Sequence, residues 1–127
     1  MRWPSIAISA LLVAATLVFA ADEPKAIMLE AAEGRLYQLS LNRSMKDILA
    51  CYNNALAKQP TLQGKVDFRI TVESTGASRT VEVLRDRLGD NTVIACITEL
   101  LRKKSWPASS GAVVFETSFS FTPAKKE

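Results

Sequence analysis

The chain has 127 residues, a formal net charge of +3 and no histidine. A charge this small and this evenly spread argues against a nucleic-acid binder, which shows a clustered basic face. The lack of histidine removes the commonest general base and the commonest metal ligand together, and two cysteines fall short of the roughly four ligands of a structural zinc.

Met1 to Ala20 reads as an export leader. Arg2 supplies a short basic start, Ile6 to Phe19 is an apolar run, and Val18-Phe-Ala20 fits a small-x-small cleavage site. No cysteine follows that site, which argues against a bacterial lipid anchor; an uncleaved membrane anchor is the alternative, although the run is short for a span of about 20 residues. Cleavage leaves about a hundred residues, the size of one small domain.

Residues 21–43 read as an N-terminal extension. Ile27, Met28 and Leu29 are candidates for a helix start, and Gly34 interrupts them. Leu36 to Leu41 fits either a short strand or the front of the next helix, since six residues cannot separate the two by periodicity. The first clear helix is expected over Ser44 to Gln59, with Ser44 as N-cap and Asp47 in the first turn. Met45, Ile48, Leu49, Tyr52, Ala55 and Leu56 form its apolar stripe, Cys51 lies within it, and Pro60 ends it.

Gly64 to Val72 alternates without fault: Val66, Phe68, Ile70 and Val72 share one face, and Lys65, Asp67, Arg69 and Thr71 the other. This period of two predicts a half-buried strand. The turn cluster Glu73 to Ala77 leads to a return strand over Arg79 to Arg85, with Val81 and Val83 inward and Leu84 breaking the pattern. Asp90 or Asn91 caps a second helix whose stripe is Val93, Ile94, Ile97, Leu100 and Leu101, with Cys96 beside it. Arg102 to Lys104 suit the negative helix end. Val113, Phe115, Thr117, Phe119 and Phe121 alternate as a last strand, and residues 124–127 form a tail. The expected fold is α+β in two layers over residues 44–123: one antiparallel sheet of three strands, covered on one face by two helices, in the order α-β-β-α-β.

Cys51 and Cys96 fall on helix faces expected to pack together. In an exported chain the favoured reading is a disulfide. Two buried free thiols or a redox-active pair are the alternatives, and the latter lacks the Cys-x-x-Cys spacing that lowers a thiol pKa. Ser109 and Ser110 have no histidine to activate them, and Asp67 has no second acid to work with. Arg69, Arg79, Arg85 and Arg87 read as a solvated face, and Trp106 as a cover for the core. No cofactor, metal, catalytic group or small-molecule substrate is indicated.

The block from Cys51 to Phe121 resembles the AgmX/PglI C-terminal domain family, itself similar to the TonB C-terminal domain. The resemblance rests on Cys51-Tyr with its apolar helix and Pro60, on Leu62-Gln-Gly-Lys-Val66, and on Phe68-Arg-Ile70 followed by Gly76, Val81 and Val83. It continues through Leu88-Gly-Asp90, Val93, Cys96-Ile97, Trp106-Pro107, Phe119 and Phe121. It implies that Cys51 and Cys96 pair. It also implies a non-enzymatic cell-envelope module that contacts other envelope proteins by adding a partner segment to a sheet edge, a mode open to any sheet with a free edge. Residues 21–43 are not proline-rich and reach roughly 80 Å at most. This departs from the long spacer of TonB-like transducers and favours a free periplasmic domain.

The expectation is therefore a periplasmic interaction domain that docks onto an envelope protein, with Val114, Glu116, Ser118 and Ser120 of the last strand as the edge that binds. A small thiol-redox protein of the envelope, or a secreted effector or inhibitor, is the alternative.

Overall fold

A computed structural model describes residues 23–123. The expected leader and the tail over 124–127 lie outside the described residues. The alternating strand β2 (Gly64–Val72) runs through the middle of the sheet. Val66, Phe68, Ile70 and Val72 are all fully buried, as a period of two against a core requires. β2 pairs antiparallel with β3 (Ser78–Asp86) on one side and with β4 (Val113–Phe121) on the other. On β4, Phe119 lies opposite Val66 and Phe115 opposite Ile70.

Two helices cover the apolar face. α1 (Arg35–Leu56) buries Tyr37, Leu41, Ile48 and Tyr52, and α2 (Asn91–Lys103) buries Val93, Ile97 and Leu101. The expected choice of caps for α2 resolves to Asp90, whose carboxylate accepts from the Val93 amide at 3.0 Å. Tyr52 stacks on Phe121 with centroids 4.9 Å apart, and its hydroxyl donates to the Leu62 carbonyl. Trp106 is 5% exposed and meets Phe115 edge-on.

The sheet differs from expectation. It has four strands and is mixed, in the order β1-β4-β2-β3, because Lys25–Ala26 adds as β1 parallel to β4. A two-residue strand leaves no periodic signal, so only the pairing partner reveals it. Residues 25–43, read from sequence as an extension, bury Ile27, Leu29, Tyr37 and Leu41 in the same core. α1 begins at Arg35 and not at Ser44, so the ambiguous stretch Leu36 to Leu41 is helix front. Ser40 and Ser44 are buried within the helix, where small hydroxyl residues sit on an otherwise apolar stripe and disguise its continuity. Ile27 to Leu29 precede a 3-10 turn (Ala32–Gly34) and are not helical. Gly34 allows this crossing: a Cβ there would lie 2.2 Å from the Met28 carbonyl oxygen.

β3 carries two bulges. The register passes from Asp67–Arg85 to Phe68–Val83, and from Thr71–Thr80 to Val72–Ser78, so Leu84 and Arg79 are the extra residues. Leu84 breaks the alternation for this reason. Val83 stands opposite Phe68 yet remains 39% exposed, so the inward position expected of it is only partly covered. Bulges and charges blunt β3 against edge-to-edge pairing.

The Trp106 indole N–H donates to Ser78 Oγ at 2.9 Å, and that hydroxyl donates to the Leu101 carbonyl at 2.8 Å, tying α2 to β3. Ser78→Ala leaves the Trp106 ring in place and removes both of these bonds. A loss of about 1–2 kcal/mol is expected, read as a drop in melting temperature of roughly 4–16 °C. An unchanged melting temperature would show that the two bonds contribute nothing. Gly76 guards the same corner: at φ +97° its backbone takes a left-handed form, and a Cβ would lie 2.2 Å from the Trp106 carbonyl oxygen.

Candidate functional site

Backbone direction along β4 decides which of its groups are free. In a strand the N–H and C=O of one residue point to the same side, and those of the next residue point to the other. The Arg87 amide donates to the Lys65 carbonyl, so Lys65, Asp67 and Arg69 address β3, while Val66, Phe68 and Ile70 address β4. Their partners Phe119, Thr117 and Phe115 therefore face β2, and Val114, Glu116, Ser118 and Ser120 face away from it. The opposite side agrees: the Ile27 amide donates to the Val114 carbonyl at 3.0 Å, and the Lys25 amide to that of Ala112 at 2.9 Å.

β1 thus covers this edge only as far as Val114. The chain then turns through Met28–Ala31 and the 3-10 turn into α1. Among the described residues no strand pairs with the outer side of β4 from Glu116 to Ser120. Five residues of open edge span about 17 Å. Of the four edge positions expected from sequence, Glu116, Ser118 and Ser120 present free backbone groups. Val114 does not, because β1 occupies it.

A groove of about 670 Å³ follows this edge. Its far wall is Leu29 and Glu30 of the N-terminal turn together with Gln38, Leu41, Asn42 and Met45 of α1. It runs past β4 onto the open sheet face at Asp67, Leu84 and Arg85. On that face Arg69 donates to Glu116 at 3.2 Å, and Ser118 Oγ donates to Asp67 at 2.5 Å. The α1 wall escaped the sequence reading. Gln38, Leu41, Asn42 and Met45 do show helical spacing, but only once residues 35–43 are joined to the helix behind them.

Cys51 and Cys96 form a disulfide between α1 and α2, with Cα atoms 5.8 Å apart. Cys51 is buried, whereas Cys96 is exposed, so the bridge lies at the outer seam of the helices and not on two inner faces. A cavity of about 280 Å³ beside it is lined by both cysteines with Lys58, Gln59 and Asp90. Among the described residues no group of three or more Cys, Asp or Glu side chains is gathered to hold a metal ion, and no helix is long and apolar enough to cross a membrane.

No protein-family model matches the chain, and no curated protein matches it. Among solved structures it is similar to the NMR solution structure of the TonB C-terminal domain of Helicobacter pylori. The identity is 13%, the TM-score is 0.43, and the match covers 67% of this chain and 85% of that one.

Proposed function

We propose that this chain is an exported, non-catalytic interaction domain of the bacterial cell envelope, and that an extended segment of a larger envelope protein adds to the outer edge of β4. The single observation that carries the reading is the open edge from Glu116 to Ser120, which lies beside a groove rather than under a helix. Main-chain groups of an incoming strand would pair there, and the groove would hold its side chains. The contrast with β3 supports the choice of edge, since β3 is blunted by two bulges and β4 has none in its register with β2. A disulfide suits the periplasm, where such bonds persist. The sequence resemblance to the AgmX/PglI and TonB C-terminal domains points the same way.

Photo-crosslinking in intact cells tests this. A photoreactive residue in place of Ser118 is expected to capture one dominant envelope protein. The same residue in place of Glu99, exposed on α2, is expected to capture none. Equal capture from both positions, or only self-adducts from position 118, would overturn the reading.

A further inference from the structure

Resting on strand addition at β4, we infer that the segment taken up alternates apolar with basic residues. Successive side chains of an added strand point to opposite faces of the sheet. On one face they meet the α1 wall, where Leu29, Leu41 and Met45 line the groove beside Phe119. On the other they stand next to Glu116, Ser118 and Ser120, whose side chains share the open face with Asp67.

The charges of the groove decide what belongs there. Its lining holds three acids, Glu30, Asp67 and Glu116, against one base, Arg85, on a chain whose net charge is +3. Lys65 and Arg69 of β2 stand across from Ser120 and Glu116 on the open face, so the excess of acid is confined to the groove lining itself. Glu116 meets Arg69 through one guanidinium nitrogen at 3.2 Å and remains 62% exposed, so its carboxylate can still take a cross-strand cation. A lysine or arginine on the open-face side would stand beside that carboxylate, whereas an acid there would be repelled. On the α1 side Glu30 is the one charge beside Leu29, Leu41, Met45 and Phe119, and this mainly apolar stretch suits Val, Ile or Leu.

Three blocked synthetic peptides of seven residues test this on isotope-labelled, disulfide-intact protein. One alternates valine and lysine, one alternates valine and glutamate, and one keeps the valine–lysine composition with the residues in two blocks. The alternating lysine peptide is expected to slow amide exchange at Glu116, Ser118 and Ser120. It is expected to bind roughly tenfold more tightly than the glutamate peptide at low salt, with the advantage shrinking as salt rises. In the double variant Glu30→Lys, Glu116→Lys the preference is expected to reverse. Equal or tighter binding of the glutamate peptide at the same amides would overturn the basic preference and leave strand addition standing. Equal binding of the blocked-composition peptide would overturn the alternation. No protection of those amides by any peptide would overturn strand addition and this inference together. The peptide comparison on the unaltered chain decides the matter even if the double variant fails to fold.

Discussion

Ser118→Pro is expected to abolish uptake of a partner strand while leaving the domain folded. The Ser118 amide points away from β2, as the Ile27–Val114 and Arg87–Lys65 hydrogen bonds establish from either side. Proline there removes a donor that the sheet itself does not use, and its ring lies in the path of an incoming strand. Edge strands tolerate proline for this reason. The residue before it, Thr117, is already extended, as a residue preceding proline prefers. The structural cost is the loss of the Ser118–Asp67 hydrogen bond and some strain in φ, a fall of a few degrees in melting temperature. The loss of affinity for the captured partner is expected to be about a hundredfold, since a central main-chain bond and the approach of the strand fail together. Calorimetric titration alongside Ser118→Ala, which keeps the amide, measures it. If the proline variant binds as tightly as the alanine variant, the partner docks elsewhere.

The largest stability effect is expected from the disulfide. The cysteines are 45 residues apart in sequence, and closing a loop of that length is worth about 4 kcal/mol in the chain-entropy model. Small domains have only about 5–15 kcal/mol in hand. The variant Cys51→Ala, Cys96→Ala is expected to lose about 2–4 kcal/mol, a fall on the order of 20 °C in melting temperature. Because Cys96 is exposed, a thiol reductant should produce the same loss in the native protein without denaturant. Denaturant melts of the oxidised, reduced and double-alanine forms check both statements. A loss below about 1 kcal/mol would mean that α1 and α2 are held by packing alone, through residues such as Ile48, Tyr52, Val93 and Ile97.

Some of this was legible residue by residue. The alternation of β2 and β4 and the apolar stripe of α2 are local patterns, and each occurs where its period placed it; the cap of α2, read as Asp90 or Asn91, is Asp90. α1 was legible only from Ser44 onward. Its first turns carry Ser40 and Ser44 on the buried side and Leu36 and Leu39 on the exposed side, at 61% and 47% exposure. Polar and apolar residues there sit on the faces opposite to those a periodicity argument expects, so the stripe fades although the helix continues. β3 lost its rhythm for a different reason: each bulge inserts one residue and shifts the alternation by one.

The candidate site follows the same division. That β4 alternates, and so turns Glu116, Ser118 and Ser120 to one face, was written in the sequence, because a period of two depends only on neighbouring residues. Which side of β4 stays open was not. It depends on Lys25–Ala26 pairing with Val113 and Val114 across nearly ninety positions, on Gly34 letting the Met28 carbonyl cross close to the helix start, and on α1 standing back from the edge far enough to leave a groove. Those are contacts between distant segments, set by packing and strand pairing, and no local pattern encodes them. The sequence by itself determined two alternating strands, two amphipathic helices and a pair of cysteines; tertiary structure decided that the sheet is mixed, that the disulfide lies at the surface, and that among the described residues the edge of β4 is open from Glu116 to Ser120.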